Sequence, residues 1–340
     1  MRVSSLRTHE KWKAYSGSTS MISIESSERI KVLLEKSWHI WNIFRRRRIL
    51  LIITMNEHHM LPKNWKTHAK LIETPIRQYE NVFTYEANWN EYVIKTILSD
   101  EEECLKFLSP LDFILQPLEI YKEKDSLYAV FPKYEKSLLE EKNPNFFRKA
   151  IIQLAYLHEF NSNHKPQWMN MWFDYPSQVL SLHTFFDSMN LYFPQSLWDL
   201  LISEVIPEET IGMVHGDFLP FNILIQHENV FFIDFANWRC DFYERDIGRF
   251  LSDRNTFKKT VWYSEWRYYP LSLYQELIDI YCKTRNDLNP QYNIQDGRKR
   301  IFLWEIWNHL DVLEASLLHG TSDTQWCMIN KKAIYHLLDS

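Results

Sequence analysis

The sequence predicts an α+β protein with two lobes, a small N-terminal lobe built on an antiparallel sheet and a larger, mostly helical C-terminal lobe. Three observations support this fold class. Between residues 81 and 131, short runs rich in β-branched and aromatic residues alternate in polarity, as strands do. After residue 144, apolar residues recur at helical spacing. Hydrophobic residues make up 45% of the 340-residue chain, which is ample material for a core.

The prediction divides the chain into three segments. Residues 1–65 form an N-terminal extension, residues 66–132 the N-terminal lobe, and residues 133–340 the C-terminal lobe. The change in character after Pro132 marks a short connector near 132–137 between the two lobes.

The N-terminal extension combines a basic cluster with an apolar run. Arg45–Arg48 precede Ile49–Ile53, which is too short to cross a membrane and too far from the N-terminus to belong to a signal peptide. We therefore expect a poorly ordered tail or an amphipathic surface segment, and no membrane span. The alternative is a translation start downstream, at Met55 or Met60.

The N-terminal lobe is predicted to follow the order β-β-α-β-β. Residues 81–86 and 91–98 alternate in polarity on either side of a turn-like segment, which predicts a hairpin. Ser99, followed by acidic residues, predicts the start of a helix, because acids in the first turn complement the helix dipole. Residues 113–121 and 127–131 predict a second pair of strands.

The C-terminal lobe is predicted to be mainly helical. The expected helices lie at 146–160, 176–206 with a break near Pro194, 246–252, 271–285, 298–318 and 328–338. Aromatic residues of this lobe either fill its core or line a ligand pocket, and their helical spacing favours the core; they are Trp262, Trp266, Tyr268, Trp304 and Trp307.

Composition narrows the functional classes. The net charge of −5 argues against a nucleic-acid-binding protein dominated by phosphate contacts. The four cysteines are scattered and fit buried free thiols in a reducing cytoplasm; they are Cys104, Cys240, Cys282 and Cys327. Only one of the six glycines, Gly17, precedes residue 212, so the first half of the chain holds no glycine-rich phosphate loop.

Residues 214–235 contain the strongest candidates for metal-binding and catalytic side chains. Asp217 and Asn222 lie five positions apart on a loop before a strand-like run, and Asp234 ends the next run. A turn at residues 226–229 would join the two runs into a hairpin and bring the three side chains to one end. Two carboxylates and one carboxamide are hard oxygen ligands suited to Mg²⁺, with one carboxylate left over as a base.

Lys95 is a second candidate. A lysine flanked by apolar residues in a strand is costly unless its ammonium group meets a charge. The acid-rich helix that follows offers Glu101, Glu102 and Glu103 as partners, and we favour Glu102 or Glu103. The alternative is an edge-strand lysine that faces water.

His215 and Asp246 are expected to support this site. We expect the ring of His215 to hold the loop by hydrogen bonds. Asp246 is either an ordinary N-cap of the helix at 246–252 or a structural acid that braces the loop.

These motifs together resemble a known family. His215-Gly216-Asp217, Asn222-Ile223-Leu224 and Ile233-Asp234-Phe235 resemble the catalytic signature of the aminoglycoside phosphotransferase and choline kinase superfamily, a branch of the protein-kinase-like fold. The resemblance extends to the helix segment Leu154–His158 and to the lysine strand Tyr92–Lys95. Within the superfamily, Arg245–Phe250 is most similar to the CotS-type spore-coat kinase-like proteins of endospore-forming bacteria.

The resemblance implies a bilobal protein-kinase-like fold and an ATP- and Mg²⁺-dependent phosphotransferase that acts on a small-molecule hydroxyl group. Asp217 would be the catalytic base, and Asn222 and Asp234 would bind Mg²⁺. Lys95, with Glu102 or Glu103 beside it, would contact the nucleotide.

The resemblance also implies a place for the adenine and for the protein. The adenine would lie against the connector, where backbone groups at 131–134 supply hydrogen bonds. The expected location is the cytoplasm, with deposition on the spore coat, and the expected partners are a small-molecule acceptor and other spore-coat proteins.

Two other functions stay open. The glycine that the family carries before Asn81 is absent, and Ala236 stands where the family often has an acid or a glycine. These departures keep open a catalytically weak or inactive kinase-like scaffold of the spore coat. A metal phosphohydrolase built on His215, Asp217 and Asp234 is the weakest hypothesis, because that class usually needs more histidine ligands than this loop supplies.

Overall fold

The computed structural model describes residues 69–72, 82–87, 90–123, 125–164, 175–203, 210–252, 271–318 and 325–339. The chain divides into two compact units, Met1–Trp89 and Asn90–Ser340. In the first unit, β1 (Ala69–Ile72) pairs antiparallel with β2 (Val82–Ala87). The predicted N-terminal extension, residues 1–65, lies outside the described residues, and the lobe boundaries stay a prediction.

The second unit opens with an antiparallel sheet and one helix. β3 (Asn90–Ile97) and β4 (Glu119–Glu123) both pair with β5 (Ser126–Pro132), and Lys95 lies opposite Ala129. The helix α1 (Ser99–Phe107) follows β3 directly and has three acids in its first turn, as the sequence predicts.

The strand predicted at 113–121 is wrong in its first half, because β4 begins only at Glu119. The peptide groups of residues 113–115 pair instead with Phe232: the N–H of Leu115 donates to the Phe232 carbonyl (3.1 Å), and the N–H of Phe232 donates to the Phe113 carbonyl (2.8 Å). Pro117, which has no N–H group to donate, follows this contact and precedes β4. The segment therefore ties α1 to the strand that leads to Asp234.

The rest of the second unit is mostly helical, which confirms the predicted α+β class. The helices are α2 (Pro144–Asn163), α3 (Tyr175–Ser188), α4 (Gln195–Ser203), α5 (Tyr243–Ser252), α6 (Leu271–Leu288), α7 (Ile294–Leu318) and α8 (Gln325–Leu338). A non-helical segment before Pro194 separates α3 from α4, as predicted. None of the described helices is long and apolar enough to cross a membrane.

Five short strands accompany these helices. β8 (Ile223–Gln226) and β9 (Asn229–Phe232) form the predicted hairpin, and β6 (Lys136–Ser137) pairs with β8. β7 (Ile211–Val214) pairs with β10 (Arg239–Phe242), and this pair brackets the loop that carries Asp217. β7 and β10 were not predicted from the sequence, since four-residue strands with a glycine or charges give little alternating pattern.

The buried apolar side chains form two clusters. One joins α1, α2, α5 and α6 to the β8–β9 hairpin, and the other joins α3, α4, α7 and α8. Trp304 and Trp307 belong to the second cluster, as expected for core residues, whereas Trp262, Trp266 and Tyr268 lie outside the described residues. All four cysteines are buried and form no disulfide bond, which confirms that prediction.

Helices α5 and α7 approach each other closely at Gly248. A Cβ atom at this position would lie 2.8 Å from the backbone nitrogen of Glu305, so a larger residue would push the helices apart. This close contact fixes the helix that carries Asp246 and Arg249.

Candidate active site

An ion triad centred on Lys95 joins three parts of the fold. The Lys95 ammonium group donates to Glu101 Oε1 at 2.8 Å and to Asp234 Oδ1 at 2.6 Å. The three side chains are only 17%, 3% and 15% exposed. Burial opposes the charged form of Lys95, but the carboxylates of Asp234 and Glu101 outweigh burial and raise the pKa of Lys95 above its ordinary value. The Lys95 ammonium group therefore lies between two carboxylates and does not face water.

The helix partner of Lys95 is Glu101, which corrects the preference for Glu102 or Glu103. Cys104 and Leu105, three and four residues after Glu101, are also buried, so these three side chains share one face of α1. Glu102 lies off that face and pairs with Lys106 at 2.6 Å, one turn later. Glu103 is exposed. The spacing of the apolar residues was the sequence signal that identifies Glu101.

The loop after β7 requires a glycine. Gly216 has φ of +78°, in the left-handed region. A Cβ atom there would lie 2.1 Å from the carbonyl oxygen of Asn237. The His-Gly-Asp sequence therefore reflects a steric need at its middle position, which brings Asp217 close to the segment after Asp234.

The ring of His215 links this loop to the β8–β9 hairpin. Its Nε2–H donates to the carbonyl oxygen of Ile233 (2.9 Å), and its Nδ1 accepts from the N–H of Asp217 (3.3 Å). These partners assign the ring proton to Nε2, because a carbonyl only accepts and an N–H only donates. Since protein groups occupy both ring nitrogens, His215 is not placed as a metal ligand, which weakens the phosphohydrolase hypothesis.

Asp246 holds the same loop from the other side. Its carboxylate accepts from the N–H groups of His215 (2.7 Å) and Gly216 (2.9 Å). It is not an N-cap, because α5 begins three residues earlier, at Tyr243. The sequence left two interpretations of Asp246 open. The structure supports the second one, a structural acid that braces the loop.

Asp246 is in turn fixed by His158, a residue of α2. His158 Nε2–H donates to Asp246 Oδ2 (3.0 Å), and the hydroxyl of Tyr281 donates to His158 Nδ1 (2.7 Å). Burial lowers the pKa of His158, and Asp246 offsets this only in part. Burial opposes ionisation of Asp246, but hydrogen bonds from His158 and from the N–H of Gly216 keep its pKa below the ordinary value. The pair is thus a neutral histidine beside an ionised carboxylate.

Asp217 is held at both carboxylate oxygens. Asn222 Nδ2 donates to the backbone carbonyl of Asp217 (2.8 Å) and to its Oδ2 (3.1 Å). Arg249 donates to Oδ1 through Nη2 (2.9 Å) and Nε (3.3 Å). Arg249 was not predicted as a site residue, since no local sequence pattern connects residues 32 positions apart.

Asp234 adopts a backbone conformation that is uncommon for a residue other than glycine. Its φ of 66° and ψ of 62° are left-handed, and aspartate tolerates this region better than most residues. The N–H of the preceding Ile233 donates to the carbonyl of Asn222 (3.0 Å), which keeps the two predicted Mg²⁺ ligands at one end of the hairpin. Such conformations are concentrated at functional sites.

The structure therefore brings together Lys95, Asp217, Asn222 and Asp234, with His215 and Asp246 supporting the loop. Glu102 and Glu103 lie outside this group. Among the described residues, no set of three or more histidine, cysteine, aspartate and glutamate side chains is arranged to hold a metal ion.

Several solved structures resemble the chain over most of its length. They include a choline kinase of Cryptosporidium parvum (13% identity, TM-score 0.55, covering 83% of this chain and 92% of that one) and an ethanolamine kinase of Plasmodium vivax (14%, 0.52, 82% and 84%). A third is an amicoumacin kinase in complex with AMP-PNP, Ca²⁺ and Ami (16%, 0.51, 83% and 90%). At this identity the likeness concerns the fold alone, and it confirms the kinase-like bilobal class.

The sequence assigns the family. The phosphotransferase enzyme family matches residues 95–277, more than half of the chain, and the protein belongs to it. No curated protein matches the chain. The superfamily resemblance is thereby confirmed, and the narrower likeness to the CotS-type proteins stays a prediction.

The buried His158–Asp246 pair predicts a pH-dependent stability. Because the pKa of His158 is lower in the folded than in the unfolded protein, the unfolded state takes up the proton first. The free energy of unfolding should therefore fall as the pH drops below about 6.5, by up to about 1.4 kcal/mol per pH unit. His158→Gln keeps a donor for Asp246 and an acceptor for Tyr281 but cannot be protonated.

Urea unfolding between about pH 7.5 and pH 5.5 measures this effect. The stability difference between the wild type and His158→Gln should shrink as the pH falls. A difference that stays constant over this range would contradict the assignment.

Proposed function

We propose that the protein transfers the γ-phosphoryl group of ATP to a hydroxyl group of a small molecule. The observation that carries the proposal is the convergence of Lys95 and Asp234, with Asn222 and Asp217 on a loop bonded to the same hairpin. This arrangement supplies a cation for phosphate oxygens, oxygen ligands for a metal ion and a carboxylate for the acceptor, which are the groups that phosphoryl transfer needs.

The residues fit Mg²⁺ through their donor chemistry. Asp234 supplies a carboxylate and Asn222 a carboxamide oxygen, both hard ligands. The amide nitrogen of Asn222 is turned to Asp217, so its oxygen points away from that acid. In sites of this kind Mg²⁺ takes its other ligands from phosphates and water, and it would there neutralise charge on the phosphates.

Lys95 is the proposed contact for the phosphates of ATP. In the structure Asp234 and Glu101 share its ammonium group. If Asp234 held a metal ion, Lys95 would turn to a phosphate oxygen and keep its bond to Glu101. A charge-assisted bond to Glu101 thus fixes the direction of the lysine.

The proposed adenine position lies at the connector. Val93 of β3 pairs with Phe131 of β5, and both side chains are half-buried. On β8, Leu224 is half-buried between two fully buried isoleucines, so it faces away from the core. These side chains offer apolar surfaces for a planar base, and the backbone at 131–134 would supply its hydrogen bonds.

The proposed reaction is a direct displacement. The oxygen of the acceptor hydroxyl forms a bond to the γ-phosphorus, and its proton passes to the carboxylate of Asp217. The bond between the γ-phosphorus and the bridging oxygen breaks, and that oxygen leaves with the electron pair on ADP. Asp217 is suited to the proton because it is 18% exposed and so accessible to an acceptor.

Isothermal titration calorimetry with ATP and Mg²⁺ tests the proposal. We expect binding by the wild type that depends on Mg²⁺. Asp234→Ala should lose this binding, because it removes a metal ligand. Asp217→Ala should abolish phosphate transfer and leave the affinity for ATP nearly unchanged, because this residue acts on the acceptor.

Two outcomes would contradict this assignment. A wild type that does not bind ATP would leave only the scaffold hypothesis. A large loss of ATP affinity in Asp217→Ala would contradict the role proposed for that residue.

We also propose that the protein, made in the cytoplasm, is deposited on the spore coat. The support is the likeness of Arg245–Phe250, which lies in α5, to the CotS-type proteins. Immunodetection in isolated spore coats of the source organism, with the cytoplasmic fraction as reference, should find the protein in the coat. Its absence from the coat would contradict this part and leave the phosphotransferase proposal unaffected.

A further inference from the structure

We propose that Arg249 is the positioning residue for Asp217 and sets the orientation in which this carboxylate meets the acceptor hydroxyl. The inference rests on the proposed phosphotransferase function and adds a residue to which that function assigns no role. It follows from three features of the described residues: the contact with Asp217, the anchoring of Arg249, and the difference between the partners of Arg249 and those of Lys95.

The two carboxylate oxygens of Asp217 have different hydrogen-bond partners. Arg249 directs two N–H groups at Oδ1, at 2.9 and 3.3 Å, whereas Oδ2 accepts one bond from Asn222 at 3.1 Å. A carboxylate oxygen has two acceptor positions. Oδ1 is filled by the guanidinium group, so Oδ2 is the oxygen with capacity left for the acceptor hydroxyl.

Arg249 is itself held in place. Its Nη1 donates to Asn308 Oδ1 at 2.7 Å, and Asn308 Nδ2 donates to the hydroxyl of Ser252. That hydroxyl donates back to the Arg249 carbonyl at 2.8 Å. Asn308 lies on α7 and is 5% exposed. The guanidinium group is therefore a rigid fork between a buried amide and Asp217, a geometry that lysine cannot reproduce.

Another arginine of α5 has different partners. Arg245, one turn earlier on α5, donates to Asp241 (2.8 Å) and Asp311 (2.5 Å) and makes no described contact with Asp217. The described hydrogen bonds of the Arg249 side chain go to Asp217 and Asn308, whereas Lys95 and Asp234, the residues proposed for ATP, bond to each other. Loss of Arg249 should therefore impair the transfer step and leave nucleotide binding intact.

In the reaction, Arg249 keeps Oδ2 of Asp217 directed at the acceptor while the acceptor oxygen bonds to the γ-phosphorus. The hydroxyl proton passes to Oδ2, and the electron pair of the broken bond leaves with ADP. Arg249 neither gains nor loses a proton in this step, and none of its covalent bonds changes. Misorientation of the carboxylate lowers the rate because proton transfer needs hydrogen-bond distance and alignment.

The test uses steady-state kinetics on the full chain with an acceptor found by screening metabolites with radiolabelled ATP. Arg249→Ala should lower kcat by about 100-fold, in the range of a lost general-base contribution, with KM for ATP changed by no more than about twofold. Added guanidinium ion should restore part of kcat in Arg249→Ala, because it can occupy the vacated position. Arg148→Met removes an ion pair with Glu276 between α2 and α6 and should keep the wild-type kcat.

Arg249→Lys tests the positioning role if Arg249→Ala does not fold. It keeps the charge but loses the fork, so kcat should fall by about tenfold with KM for ATP unchanged. A folded Arg249 variant with the wild-type kcat, or one whose main change is a higher KM for ATP, would overturn this inference. Either result would leave the proposed function unaffected. A wild type that binds no ATP and transfers no phosphate would overturn the proposed function and the inference with it.

Discussion

A lysine ammonium group placed between two carboxylates is the interaction on which the site depends. Lys95 comes from β3, Glu101 from α1 and Asp234 from the end of the β8–β9 hairpin, so one triad ties together three elements. Buried charges are costly unless they are paired, and here one ammonium group is paired with both carboxylates. The triad also orients the Lys95 side chain, since Glu101 is buried and fixed while Asp234 faces the place proposed for the metal ion. Nucleotide binding would replace one partner of Lys95 and keep the other.

A second constraint acts on the loop that carries Asp217. Asp246 accepts both backbone N–H groups at His215 and Gly216, and His158 fixes Asp246 from the core. The His215 ring then connects the loop to Ile233, next to Asp234. A continuous set of hydrogen bonds therefore runs from the buried helix α2 to the proposed metal ligands. Each predicted site residue on the loop is held by at least one group from another element, which is the preorganisation that electrostatic catalysis requires.

The sequence was sufficient for the parts of the site that are local. Asp217 and Asn222 lie five positions apart, and a short hairpin brings Asp234 to the same end, so motif and spacing placed all three. The choice among Glu101, Glu102 and Glu103 needed the rotation of α1, which the buried face decides. The contact between Arg249 and Asp217 could not be predicted, because it depends on how α5 packs on the loop. The first half of the strand expected at 113–121 failed for a similar reason: strand-forming residues do not specify their partner, and residues 113–115 bond to Phe232.

The most direct test of this account compares two neighbouring glutamates. Glu101→Gln removes the buried carboxylate that directs Lys95, whereas Glu102→Gln removes one that pairs with Lys106 at the surface. Calorimetry with ATP and Mg²⁺ should show at least about tenfold weaker binding for Glu101→Gln, corresponding to about 1.4 kcal/mol, and wild-type affinity for Glu102→Gln. Equal affinities for the two variants, or a loss confined to Glu102→Gln, would contradict the central role of the Lys95 triad.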